Sequence, residues 1–280
     1  MLTKSQLKEV FENYGFRPLK RFGENYLIDA NIKDKIIKEA SIAKGDTILE
    51  IGPGLGALTI DLASSGARVV AVEKDKKAFR ILTSIAGADH PNLELVCQDI
   101  LEFDIARVFS GKKIKLIGNL PYYISSPIIE YMIDNRRFIE SAIFMVQKEV
   151  AARLLAGPGT KDYSSVSCFV QYYTKPKYVH TVKRGSFHPE PEVDSAIVRF
   201  DLSTDGPSGV KDEKMLFRVI RGAFNQRRKT IINSLSREAV LDIPKDELAR
   251  ILDGIGIGPE RRPETLGLPE FIRIANAVVR

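Results

Sequence analysis

Between about residues 47 and 147, short apolar runs alternate with helical patterns. No other feature of the chain narrows its fold so far. The runs are TILEIG, RVVAVE, LELVCQD, KIKLIGN and SAIFMVQ. Runs that are apolar on both faces belong in a sheet covered on both sides, and strands joined through helices run parallel. Between the first two runs, ALTIDLASSG reads as a helix closed by Gly66. Two further strands, KYVHTVK at 177–183 and SAIVRF at 195–200, are separated by a short loop with prolines and can pair as a hairpin at one edge. The expected architecture is α/β: an open, doubly wound seven-stranded sheet with an antiparallel edge.

Outside that block the pattern changes. STDGPSGVKDEK, residues 203–214, has no periodicity and reads as a linker. Beyond it, Phe217, Ile220, Phe224, Ile231 and Leu235 fall near one face of a long helix, and KDELARILDGIG and LPEFIRIANAVV carry further helical patterns. The division expected is a sheet domain over 1–202 with an N-terminal helical extension, a linker over 203–214 and a helical domain over 215–280. The extension is amphipathic, not a leader sequence: Leu7, Val10, Phe11 and Tyr14 share a face, Thr3 and Gln6 have capping-box spacing, and Gly15 ends it. With 280 residues and 44% apolar content the chain can bury a large core, and no apolar run reaches the length of a membrane span. Cys97 and Cys168 stand in apolar contexts and read as reduced core residues of a cytoplasmic protein. Three histidines without a Cys/His cluster argue against a metal site.

The glycine-rich turn EIGPGLGALT follows the first strand. In an open α/β sheet ligands bind at the carboxyl ends of the strands. A glycine turn alone is as often a plain strand–helix connection as a site. Here, however, successive strand ends carry Gly52, Glu73, Asp99 and Asn119, which would line one rim of one sheet. Pro53 removes a backbone N–H that a phosphate cradle would use, and no Gly-Lys-Ser/Thr follows, so a P-loop is excluded. A rim with Glu50, Glu73 and Asp99 suits a cationic ligand without phosphate, S-adenosylmethionine, with Glu73 on the ribose hydroxyls and Asp99 accepting from the adenine amine.

The fourth strand runs straight into Asn119-Leu120-Pro121-Tyr122. The exocyclic amine of a nucleobase is a poor nucleophile because its lone pair is delocalised into the ring. Two acceptors that take its two N–H bonds would aim that lone pair at a methyl donor. Asn119 Oδ1 can be one and the Leu120 carbonyl the other, with Pro121 biasing Leu120 to an extended backbone. Tyr122 offers a stacking face worth roughly 1–3 kcal/mol. A turn alone would explain Asn-x-Pro, but not its place beside the other three rim residues.

These residues carry a resemblance. Asn-Leu-Pro-Tyr in this position resembles the signature of the KsgA-type ribosomal RNA adenine N6,N6-dimethyltransferases, and the resemblance spans nearly the whole chain. RFGENYLID (21–29) looks like the family's N-terminal cofactor motif, which implies cofactor roles for Asn25 and Leu27 and, with the strand ends, for Asn119. FHPEPEVDSAIV (187–198) looks like its F-x-P-x-P-x-V-x-S loop, which implies that Phe187 is a second aromatic face, opposite Tyr122. AFNQRRKTIINSL (223–235) resembles its C-terminal helix. The resemblance implies a Rossmann-like methyltransferase domain with a small helical domain, and transfer of four methyl groups from S-adenosylmethionine to two adjacent adenosines near the 3′ end of small-subunit (16S) RNA in a precursor particle. A cytoplasmic monomer is expected. The chain departs from the family pattern at Glu24, where Gln is usual, and at Tyr123, where Asn is usual.

Net charge is +6, and residues 207–280 hold 14 Lys/Arg against 10 Asp/Glu. Arg218, Arg221, Asn225 and Arg228 form a polar stripe at helical spacing, and with Arg227 and Lys229 they make a basic face suited to phosphates. Lys20 and Arg21 extend the expected RNA footprint. The competing readings are a large-subunit RNA methyltransferase, a DNA adenine methyltransferase and a non-catalytic assembly or transcription factor that keeps the fold.

Overall fold

The computed structural model describes residues 3–16, 25–86, 89–109, 111–121, 124–226, 228–236 and 241–279. Lys20, Arg21, Glu24, Tyr122, Tyr123 and Arg227 lie outside them. Two compact units partition the chain, 1–151 with 175–203, and 152–174 with 204–280.

The first unit is built on the expected sheet. Its strands are β2 (Thr47–Ile51), β3 (Arg68–Glu73), β4 (Leu93–Cys97), β5 (Ile114–Asn119), β6 (Ile139–Gln147), β7 (Thr174–Val182) and β9 (Ser195–Leu202), in the order β4-β3-β2-β5-β6-β9-β7. β4, β3, β2, β5 and β6 are parallel, and β9 runs antiparallel to β6. β2, β5 and β6 are buried almost throughout, as a central strand covered on both faces must be. β4 is the edge and alternates between exposed and half-buried positions. Cys97 therefore lies exposed at its end, not in the core as expected; only Cys168 is buried.

The chain leaves β2 outward to β3 and β4, then returns to pair β5 on the other side of β2. That reversal makes a crevice at the carboxyl ends of β2 and β5. The surrounding helices are α1 (Lys4–Asn13), α2 (Ala30–Ala40), α3 (Thr59–Ser64), α4 (Lys76–Ala86), α5 (Ile105–Phe109), α6 (Ser125–Asp134) and α7 (Lys148–Leu155), the last running across the division at 151/152. Thr3 and Gln6 form the capping box of α1. Leu7 and Phe16 pack with Tyr26, Leu55, Ala78 and Ile81 in a cluster beside the crevice. A second, two-stranded ribbon pairs β1 (Tyr26–Leu27) antiparallel with β8 (Phe187–His188). No sequence pattern announced it.

The second unit is helical: α8 (Ser165–Tyr173), α9 (Glu213–Phe224), α10 (Ile231–Leu235), α11 (Lys245–Gly254) and α12 (Leu268–Val278). It departs from expectation in three ways. Residues 152–174, including α8, group with it and not with the sheet. The expected linker is anchored within it: Asn276 donates to the Gly209 carbonyl at 2.6 Å and accepts from Lys211 N at 2.9 Å, and Asp212 caps α9 through Met215 N at 3.0 Å. The expected long helix is two helices, α9 ending at Phe224 and α10 starting at Ile231. Ile231 and Leu235 are still buried, because the apolar face resumes after the break. The Tyr172 and Tyr173 hydroxyls donate to the Glu213 carboxylate at 3.2 and 2.6 Å and tie α8 to the start of α9.

Candidate active site

A cavity of about 660 Å³ opens at the carboxyl ends of the parallel strands. Gly52, Glu73, Asp99 and Asn119 all line it, as do Asn25, Leu27, Leu120, Pro121 and Phe187. Parallel strands bring their carboxyl ends to one rim, so four residues far apart in sequence meet there because each follows or ends its strand.

The loop after β2 is held by the first acid. Glu73 is 9% exposed; its Oε2 accepts from Gly54 N at 3.0 Å and its Oε1 from Asp75 N at 2.8 Å. Gly54 has φ +57°, and a Cβ there would stand 3.0 Å from the Tyr26 ring, so this turn requires glycine. Asp99 accepts from Leu101 N at 3.1 Å and from Lys74 Nζ at 2.6 Å. Burial raises its carboxyl, but these two donors outweigh burial and hold it below the ordinary aspartate range. It stays ionised, with lone pairs left for a further donor. Lys74 at this position was not anticipated.

Glu50 is strongly perturbed. It is 2% exposed, and its Oε2 has no hydrogen-bond partner among the described residues. Burial pushes its carboxyl up to about 8; the Thr59 hydroxyl opposes this and the charge of Glu73 adds to it. Among the described residues no ordinary hydrogen bond joins Glu50 to Thr59, whose own hydroxyl is also buried without a partner there, so the desolvation of Glu50 goes largely uncompensated.

At the end of β5, Asn119 pairs with Met145 of β6, and Leu120 N then donates to the Met145 carbonyl at 3.0 Å. Leu120 is 1% exposed and its peptide is pinned to the sheet. Asn119 Nδ2 donates to the Asn25 carbonyl at 3.1 Å. Phe187 is 3% exposed: it belongs to the core cluster with Leu27, Ile117, Met145 and Ile197 and also forms cavity wall. It is a core anchor that also borders the cavity. The proposed pairing with Tyr122 falls outside the described residues. His188, next to Phe187, stacks on Phe11 with ring centroids 6.1 Å apart. Burial, then the charges of Lys4 and Lys8, hold its imidazole below the usual histidine range.

In the second unit, Arg218 and Arg221 are exposed on α9, and Arg228 and Lys229 are exposed in the segment between α9 and α10. The helix break means that Arg228 does not continue the stripe of Arg218 and Arg221. Among the described residues no helix is long and apolar enough to cross a membrane, and no cluster of His, Cys, Asp and Glu is placed to hold a metal ion.

The profile of the family described as ribosomal RNA adenine dimethylase matches residues 15–273. A curated protein of Lachnoclostridium phytofermentans named ribosomal RNA small subunit methyltransferase A is 41% identical, over 98% of this chain and 96% of that protein. Among solved structures, a dimethyladenosine transferase from Plasmodium falciparum superposes with a TM-score of 0.77 at 29% identity, covering 89% of this chain and 95% of the other. The 23S rRNA methyltransferase ErmE superposes with a TM-score of 0.71 at 25% identity, covering 91% and 99%.

Proposed function

The chain belongs to the ribosomal RNA adenine dimethylase family, and we propose that it dimethylates the N6 amines of two adjacent adenosines near the 3′ end of small-subunit ribosomal RNA, with S-adenosylmethionine as donor. The observation that carries the reading is the meeting of Gly52, Glu73, Asp99 and Asn119 on one cavity beside the switch point of the sheet. The residues fit the donor. Glu73 and ionised Asp99 make a wall that favours a cation, the orphaned Oε2 of buried Glu50 is left for a further polar partner, and much of the remaining lining is apolar. When bound, S-adenosylmethionine supplies a methyl group on a positively charged sulfur.

On this reading Glu73 takes ribose hydroxyls while its second contact holds the glycine loop, and Asp99 accepts from adenine. Leu27 and Asn25 line the same cavity. Asn119 Oδ1 and the Leu120 carbonyl accept the two N–H bonds of the target amine and localise its lone pair. As that nitrogen gains positive charge, the same two oxygens stabilise it. The proton can leave after transfer, so a general base is not required. Phe187, with Tyr122 by resemblance, supplies flat faces for a base drawn out of its stack.

The basic residues Arg218, Arg221, Arg228 and Lys229 support an RNA-contacting role for the helical unit, and Lys20, Arg21 and Arg227 extend it by their place in the sequence. The same reading makes the chain a cytoplasmic monomer acting on a small-subunit precursor particle. The experiment is label transfer: methyl-labelled donor, the purified chain, and small subunits lacking the modification. Label enters the small-subunit RNA. Label in large-subunit RNA or duplex DNA would make the substrate assignment wrong, and no label with intact donor binding would favour a non-catalytic assembly role.

A further inference from the structure

A carbonyl oxygen can only accept a hydrogen bond, so the Asn119 group that meets the Asn25 carbonyl at 3.1 Å is its amide nitrogen. The planar amide then turns Oδ1, the atom needed as acceptor, the other way. Asn25 immediately precedes β1. β1 pairs with β8 in a register that sets Leu27 opposite Phe187 and Tyr26 opposite His188. Two more bonds close this ribbon: Ile28 N donates to the Ser186 carbonyl at 2.9 Å, and the Ser186 hydroxyl donates to Asp29 Oδ2 at 2.9 Å. The other oxygen of Asp29 caps α2 through Asn31 N at 3.0 Å. The ribbon is thereby anchored to a helix start.

We propose that the ribbon positions the transfer, orienting the Asn119 amide through the Asn25 carbonyl and seating Phe187 through the ladder, with Ser186 and Asp29 as positioning residues. The inference rests on Asn119 as the acceptor for the target amine. Neither Ser186 nor Asp29 lines the cavity, so both act through other residues. One short element thus joins a donor wall, the acceptor amide and an aromatic wall. Leu27 and Phe187 are also held by the core cluster, so loss of the Ser186 hydroxyl loosens the ribbon without removing its packing. Small displacements of reacting groups are costly to rate while leaving binding nearly intact.

The test is Ser186→Ala, with Ser186→Thr as rescue. In single turnover the methyl-transfer rate falls about tenfold, while donor affinity and the KM for RNA stay within about twofold. In nitrogen-15 spectra the side-chain amide protons of Asn119, assigned by their loss in Asn119→Asp, exchange faster with water in Ser186→Ala. Threonine restores both rate and protection. Ser186→Cys, similar in size with a weak donor, falls between, and serves should alanine not fold. An unchanged rate with unchanged amide exchange would overturn the proposal. So would a rate loss matched by an equal loss of donor affinity, because that describes a damaged donor site. Absence of transfer by the unaltered chain would sink the parent reading instead. The exchange measurement needs no RNA and judges the ribbon separately.

Discussion

At the scale of single residues, Asn119 and Glu50 have opposite relations to the sequence. Asn119 was legible because an amide ending an apolar strand, followed by Leu-Pro-Tyr, has few uses. Asn119→Ala is expected to lower transfer by at least about a hundredfold and to leave donor affinity within about tenfold. Calorimetric titration beside single-turnover kinetics checks this; equal losses of both would make Asn119 a donor ligand only. In the sequence Glu50 is simply one acid of the rim. Its full burial and orphaned oxygen depend on tertiary packing, which no spacing announces. Its carboxyl stands raised from 4.5 to about 8 in the folded chain. Between those values the folded state binds the proton and the unfolded state releases it, so this group's contribution to stability is whole below about 4.5 and is lost as pH rises through about 8. Glu50→Gln should therefore flatten the fall in thermal midpoint across that window. A variant whose midpoint falls as steeply as the parent's would assign the pH dependence to other groups.

At the scale of elements, strands were easier to read than their neighbours. Each apolar run gave a strand because a buried parallel strand needs side chains that are apolar on both faces. The position of a strand within the sheet is a matter of crossover, and so the exposure of Cys97 on the edge strand β4 was invisible. The ribbon of β1 and β8 was invisible too: its strands are two residues long, and the Ser186–Asp29 bond spans 157 residues of sequence. The break between α9 and α10 was hidden because the apolar spacing runs on across it. Two predictions belong here. Gly54→Ala places a Cβ against Tyr26 at positive φ and should cost about 1–3 kcal/mol of stability while weakening the donor site. Denaturant melts and donor titration check it, and an unaffected melt would mean that the loop adapts freely. Arg221→Glu combined with Arg228→Glu should weaken RNA binding and lower its salt slope by about one to two contacts. A slope equal to the parent's would take both arginines out of the footprint.

At the scale of the whole molecule, the sheet unit carries the proposed chemistry and the helical unit the proposed RNA contacts. The sheet was legible from alternation, and its rim from the chemistry of strand ends. The outline of the helical unit was not, because α8 joins it from the middle of the chain and the polar 203–214 stretch is tied down by Asn276, whose role depends on tertiary contact. Recognition of RNA by such a molecule rests on shape and on bases drawn from their stacks, so the choice of nucleotide is the most demanding consequence of the whole arrangement. Mapping the methylated nucleotides after reaction of the purified chain with unmodified small subunits tests it most directly. The account predicts two neighbouring adenosines near the 3′ end, each carrying two methyl groups on N6. Methylation of a base that lacks an exocyclic amine, or at ring or ribose positions, would contradict the paired-acceptor geometry of Asn119 and Leu120.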